Sequence, residues 1–199
     1  MKKIVLILSI LLSSTVMFSQ KVKVMEGDFK NLKGIAEYNL EFDYTGVQIP
    51  KYDSEEAFLK DKMEKRENKE AGAGEEFKKS WFADREEKYE PKFIESFNKR
   101  FDGEVRVAKD IDAEYTMRIH STMMWAGYNV GIVRKNAKLE ATVSVYKTNN
   151  PSEVLWSANY TKVEGSGAMG YDFDSGYRIS EAYAKLAKEV AYNIKKKAK

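Results

Sequence analysis

Polar and apolar residues alternate along several stretches of this chain, and elsewhere they recur at the period of a helix. Around residues 39–45, Tyr38, Leu40, Phe42 and Tyr44 fall on one side, while Asn39, Glu41, Asp43 and Thr45 fall on the other. A period of two over this length predicts a half-buried strand. The same pattern returns in Tyr115–Trp125. There Tyr115, Met117, Ile119, Ser121, Met123 and Trp125 share a face, opposite Glu114, Thr116, Arg118, His120 and Thr122. Lys138–Tyr146 sets Leu139, Ala141, Val143 and Val145 against Glu140, Thr142 and Ser144. Val154–Thr161 sets Val154, Trp156, Ala158 and Tyr160 against Ser157, Asn159 and Thr161. Asn149-Asn150-Pro151 between the last two runs predicts a hairpin turn. A shorter strand is expected over Val22 to Met25.

Residues 53–102 break this rhythm, with 15 acidic and 12 basic residues interleaved in 50 positions. Helices are predicted at about 54–69 and 75–101, separated by Ala71-Gly72-Ala73-Gly74. Pro91 should end one helical piece and start the next, because proline is tolerated in a first turn but not in an interior. Phe77, Trp81, Phe82, Tyr89, Phe93, Phe97 and Phe101 recur at helical spacing and read as core, with the charges as the solvated face. A last helix carries Ile179, Ala182, Tyr183, Leu186, Val190 and Ile194 in one stripe. Every strand is apolar on one face only, so helices should cover one side of the sheet and leave the other to water or a partner. The expected fold is α+β: a two-layer α/β sandwich, mainly antiparallel, in the order β-β-α-β-β-β-β-α. With no internal repeat and no linker rich in Pro or Gly, residues 20–199 read as one domain.

Residues 1–19 read as a signal peptide rather than part of the fold. Lys2 and Lys3 precede an apolar run, Ile4 to Leu12, and Ser19 offers a cleavage position before Gln20. Nine apolar residues are too few for a spanning helix, which takes roughly twenty. No cysteine is present, so neither a lipid anchor nor a disulfide is expected. The sequence therefore predicts a periplasmic or secreted protein with no transmembrane span in the mature chain. The formal +3 falls to about +1 once Lys2 and Lys3 leave, and the remaining lysines crowd the C-terminus at Lys195, Lys196, Lys197 and Lys199. Nucleic acid is not an expected partner, since a nucleic-acid face needs a basic stripe.

Candidate chemistry is sparse. Gly165-Ser-Gly167-Ala-Met-Gly170 matches G-x-G-x-x-G but follows a hairpin, not the strand of a βαβ unit, so no dinucleotide is expected. Asp172-Phe-Asp174-Ser-Gly176 opens like a calcium loop, yet the twelfth position is Tyr183, and Asp174 fits better as a helix N-cap. His120 is the single histidine and reads as a solvated strand residue. Glu41, Asp43 and Glu140 offer carboxylates for glycoside hydrolysis, although two acids on a strand face are commonplace. No cofactor and no metal site is expected. One constellation stands out. In an antiparallel sheet, the connection after Trp125 and the exit after Thr161 lie at one end. That end would gather Trp125, Gly127, Tyr128, Asn129 and Arg134 with Asp172, Asp174 and Arg178. Loops on a rigid sheet are where binding usually resides; the plainer reading is that the glycines only permit tight turns.

Three blocks resemble a known group: Gly127-Tyr-Asn-Val-Gly131, Asn149-Asn-Pro-Ser-Glu-Val-Leu-Trp156, and the run from Gly165 to Tyr183. They are similar to a family of small exported proteins of uncharacterised activity from Bacteroides-type bacteria. The resemblance implies export and carries over no functional residues. The sequence as a whole predicts an exported binding or scaffolding protein of the cell envelope, not an enzyme. It favours an envelope protein as partner over a small molecule, because the pattern predicts no pocket. A hydrolase acting on glycan or peptide, through Asp172 and Asp174 or the sheet carboxylates, is the alternative.

Overall fold

A computed structural model describes residues 21–129, 133–165 and 174–199. The predicted signal peptide lies outside them. The elements follow the expected order: β1 (Lys21–Gly27), β2 (Glu37–Asp43), α1 (Glu55–Glu67), α2 (Ala73–Asp84), α3 (Glu90–Asn98), β3 (Arg106–Ala108) and β4 (Tyr115–Trp125). A two-residue pair, β5 (Tyr128–Asn129) and β6 (Arg134–Lys135), follows. Then come β7 (Lys138–Lys147), β8 (Asn150–Glu164) and α4 (Ser175–Lys197).

The main sheet is six-stranded, in the order β1-β8-β7-β4-β2-β3. β1, β8, β7 and β4 pair antiparallel, and β2 lies parallel to both β4 and β3. The parallel pairings follow from the connection. The chain leaves β2 through the long helical segment, and such a crossover can return alongside it in the same direction. The protein is thus an α+β sandwich with a mainly antiparallel sheet.

The alternation sorts the two faces as the sequence predicts. Tyr38, Leu40, Met117, Ile119, Leu139, Val143, Val145, Trp156, Ala158 and Tyr160 are buried. On this face α4 lies against β7 and β8 and packs on α3, burying Ile179, Ala182, Tyr183, Leu186 and Val190. The opposite face carries polar pairs across the strands: Thr142 donates to Asn159 (2.8 Å), and Ser144 and Ser157 share a hydrogen bond (3.0 Å). Tyr146 also lies on this face, its hydroxyl donating to Glu41 at 2.6 Å.

Two departures from the expected pattern shape the region around Trp125 and the helical layer. β4 does not alternate to its end. A bulge between Ser121 and Met123 shifts the register, so Met124, not Met123, is fully buried. One extra residue re-aims every side chain after it, Trp125 included. The second departure is in the helices. Pro91 does fall at the start of a new helical piece, as expected, but α2 reaches it through a π-helical turn, Arg85–Tyr89, that the pattern does not predict. Pro91 lacks an amide hydrogen and sits in the first turn of α3, where an i→i−4 bond is dispensable. The wider turn before it absorbs the change.

Candidate functional site

The register places the ends of three strands side by side. Trp125 of β4 pairs with Lys138 of β7, and Lys138 pairs with Glu164 of β8. The first turn of α4 reaches the same end, where Arg178 Nε donates to the Ala126 carbonyl at 2.8 Å. Trp125, Tyr128, Asn129, Arg134, Asp174 and Arg178 are therefore gathered near one end of the sheet. Asp172 lies outside the described residues, as do Gly167 and Gly170. Gly165 plays a packing role, since a Cβ there would come within 2.8 Å of the Ala182 nitrogen on α4.

The gathered residues divide into two groups. Asp174 belongs to the scaffold. Its carboxylate accepts from the Gly176 and Tyr177 amides at the start of α4, and Lys88 bridges it at 2.8 Å. Burial opposes ionisation of Asp174, but Lys88 and the helix amides outweigh it and hold the carboxyl below its ordinary range. Lys88 also bridges Asp84 at 2.9 Å. For Asp84 burial dominates and raises the carboxyl, although Lys88 pulls the other way. This Asp84–Lys88–Asp174 cluster ties the end of α2 to the start of α4. Arg134 and Asn129 pair across the small β5–β6 ladder.

Trp125, Tyr128 and Arg178 face a cavity. The Trp125 and Tyr128 rings meet edge to face, with centroids 6.2 Å apart, and Lys138 lies over the Trp125 ring. The cavity encloses about 420 Å³, within the ordinary range for small-molecule sites. Its other wall is the α1–α2 hairpin with the segment before it: Tyr52, Phe58, Phe77 and Trp81. These four rings form a chain, from Tyr52–Phe58 (5.2 Å) through Phe58–Trp81 (4.7 Å) to Phe58–Phe77 (6.0 Å). Trp81 and Phe58 are buried beneath, while Tyr52 and Phe77 are only half-buried. Four cations line the same space: Lys51, Lys62, Arg66 and Arg178. The Arg66 guanidinium lies 3.9 Å from the centre of the Phe77 ring, and Lys62 lies over Tyr52 and Phe58. No Asp or Glu is among the described residues that line the cavity. Asp61 stands just behind, accepting from the Tyr52 hydroxyl (2.6 Å) and bridging Lys65 (2.7 Å) and Lys62 (3.4 Å).

The sequence pattern assigns Phe77 and Trp81 to the core and predicts no pocket. The aromatic wall is the part it misses. A signal was present, because Phe58, Lys62 and Arg66 stand four residues apart and share one stripe of α1. A stripe that mixes a ring with two cations is not a plain core stripe.

A larger trough of about 780 Å³ runs along β2, lined among others by Glu41, Asp43, Glu90, Lys109 and Arg118. Three of its carboxylates are matched by neighbouring groups. Glu90 pairs with Lys109, Asp43 with Arg118, and Glu41 accepts from Tyr146. His120, at its margin, contacts the Thr45 carbonyl at 3.0 Å and stands 3.9 Å from Asp43. The smaller cavity is the better candidate site, since the charges among its described lining residues share one sign.

Among the described residues no helix is long and apolar enough to cross a membrane. No family model matches the chain, and no curated protein matches it. Among solved structures, the PelC dodecamer from Paraburkholderia phytofirmans is similar at 12% identity and a TM-score of 0.43, over 88% of this chain and 97% of that one. A singly substituted form of the same protein gives the same values. Protein XCC0632 from Xanthomonas campestris aligns at 15% identity and a TM-score of 0.33, over 50% of this chain and 57% of that one. Similarity at this level carries no functional argument.

Proposed function

We propose that this is an exported, soluble binding protein of the cell envelope, and that the cavity between the Trp125–Tyr128 loop and the α1–α2 hairpin is its ligand site. The observation that carries the reading is the lining itself: six aromatic side chains and four cations around one concave space. Rings supply apolar contact area at little entropic cost, and a few polar groups fix orientation. A concavity of this size favours a small ring-bearing ligand, or the terminal unit of a larger one, over the flat protein partner expected from the sequence. Binding is favoured over hydrolysis because three of the described candidate carboxylates already hold other groups, which leaves Glu140 of that set without an acid partner beside it. Asp174 caps α4, Asp43 holds Arg118, and Glu41 holds the Tyr146 hydroxyl.

The test is a saturation-transfer NMR screen of neutral, cationic and anionic ring compounds against the purified protein and its Trp125→Ala variant. The expected result is a set of compounds that receive saturation from the wild type and lose it with the variant. A screen in which no compound depends on Trp125 overturns the site.

A further inference from the structure

The lining also specifies a ligand class, an inference that rests on the cavity being the binding site. We infer that it takes a sugar-sized ring carrying an oxyanion: a sugar acid or a sugar phosphate, free or at the end of a chain. Three features of the wall lead there.

The first is charge. Lys51, Lys62, Arg66 and Arg178 converge from three segments of chain, the loop before α1, α1 itself and α4, and no carboxylate shares the described lining. Among the described residues, Arg66 is held by the Phe77 ring and by the Lys62 carbonyl (3.2 Å), and neither neutralises it. A guanidinium held over a ring, with one nitrogen on a carbonyl, keeps its remaining N–H donors in a pre-oriented plane, a geometry suited to carboxylate or phosphate oxygens. Lys62 is partly answered by Asp61, so Arg66 and Lys51 supply most of the attraction for an anion.

The second is shape. Rings stand on both walls, Trp125 from the end of β4 and Tyr128 from β5, Tyr52 and Phe77 from the helical side. A pyranose chair offers an apolar face of axial C–H bonds to such walls, whereas an acyclic anion leaves them unfilled.

The third is the presence of polar tips among the apolar faces. The Tyr128 hydroxyl, the Trp125 indole N–H and the Ser175 hydroxyl belong to lining residues. A ring bearing hydroxyls has partners for such groups, and an unsubstituted arene would leave polar groups unpaired on binding.

The test is calorimetric titration of the purified protein with D-glucuronate, D-glucose 6-phosphate, D-glucose and benzoate. At least one of the two anionic sugars should bind about tenfold or more tightly than glucose, the scale expected for one added charge-assisted hydrogen bond, and more tightly than benzoate, which has the anion but no ring hydroxyls. Glucuronate against glucose 6-phosphate distinguishes carboxylate from phosphate. Arg66→Gln should weaken the preferred anionic sugar about tenfold, and by more than it weakens any glucose binding, in a variant that remains folded. Glucose binding as tightly as the anionic sugars, or benzoate binding tightest, overturns the class. If all four fail while the screen still finds Trp125-dependent compounds, the class is wrong and the site stands. If the screen also fails, both readings fall together.

Discussion

The Asp84 carboxylate occupies the space that a side chain on Gly176 would need. A Cβ built on Gly176 would lie 1.9 Å from Oδ2 and 2.5 Å from Cγ of Asp84. With the Asp84 carboxylate in this position, the end of α2 and the first turn of α4 leave no room for a side chain at residue 176. Their close approach sets the cavity, which takes Trp81 and Phe77 from α2 and Ser175 and Arg178 from α4. Gly176→Ala is expected to force the buried carboxylate away from Lys88 and to destabilise the protein by about 1–3 kcal/mol. Thermal or urea unfolding measures this. Combining it with Asp84→Ala should cost less than the sum of the two single changes, because the clash and the bridge involve the same group. Strict additivity would contradict the packing described.

A second coupling lies under β4. Ser121 is fully buried at the bulge, and its hydroxyl shares a 2.6 Å hydrogen bond with the Tyr183 hydroxyl of α4. Tyr183 also stacks on Tyr89 of the π-helical turn, 5.3 Å away and nearly parallel. Tyr183→Phe keeps the stack but strands the serine, and should cost about 1–3 kcal/mol. Ser121→Ala with Tyr183→Phe should recover much of that loss, since no buried hydroxyl is then left without its partner. A double-mutant unfolding cycle reads the difference directly.

Aromatic residues around the cavity should separate by role. Trp81 is 4% exposed and Trp125 is only half-buried. Trp81→Ala is expected to cost about 3–5 kcal/mol of stability, as for large core truncations. Trp125→Ala should leave the melting temperature nearly unchanged while abolishing capture of compounds found in the screen. If both changes act only on stability, the Trp125 ring is core and not a binding surface.

Acid sensitivity should come in part from the polar sheet face. Burial alone would raise the Asp43 carboxyl, but the Thr45 amide and hydroxyl and the Arg118 guanidinium outweigh it and bring it to about 2. A carboxyl held lower in the folded than in the unfolded chain stabilises the fold above its unfolded value, near 4, and that stabilisation is lost as pH falls toward 2. Asp43→Asn should therefore flatten the stability–pH curve between about pH 4 and pH 2, relative to wild type. An unchanged slope in that window would show that Arg118 and Asp43 are not coupled in solution.

Much of this fold was legible because its strands are one-sided. Leu139, Val143 and Val145, for example, could be assigned to the buried face from alternation alone. The bulge at Ser121–Met123 was not legible, since an inserted residue looks locally like continued alternation and shows itself only through the partner strand. The parallel pairing of β2 with β4 and β3 was equally hidden, because it depends on where the helical crossover lands. The loop end could be assembled from strand direction, and the sequence brought Trp125, Tyr128 and Arg178 toward one another. The opposite wall could not, because a half-buried Phe77 and a buried Trp81 have the same helical spacing. Only tertiary packing distinguishes a ring that seals the core from one that lines a cavity.

The three tryptophans provide the most direct test of the cavity as a binding site. Trp125 lines the cavity, Trp81 lies beneath it with its indole N–H donating to Glu55 at 2.6 Å, and Trp156 is buried elsewhere against Phe29. The measurement is the shift of the three indole N–H resonances as a compound found in the screen is titrated in. With the ligand seated in the cavity, Trp125 should move most, Trp81 less, and Trp156 not at all. A compound that binds while Trp125 stays still, or that moves Trp156 as much as Trp125, would contradict it.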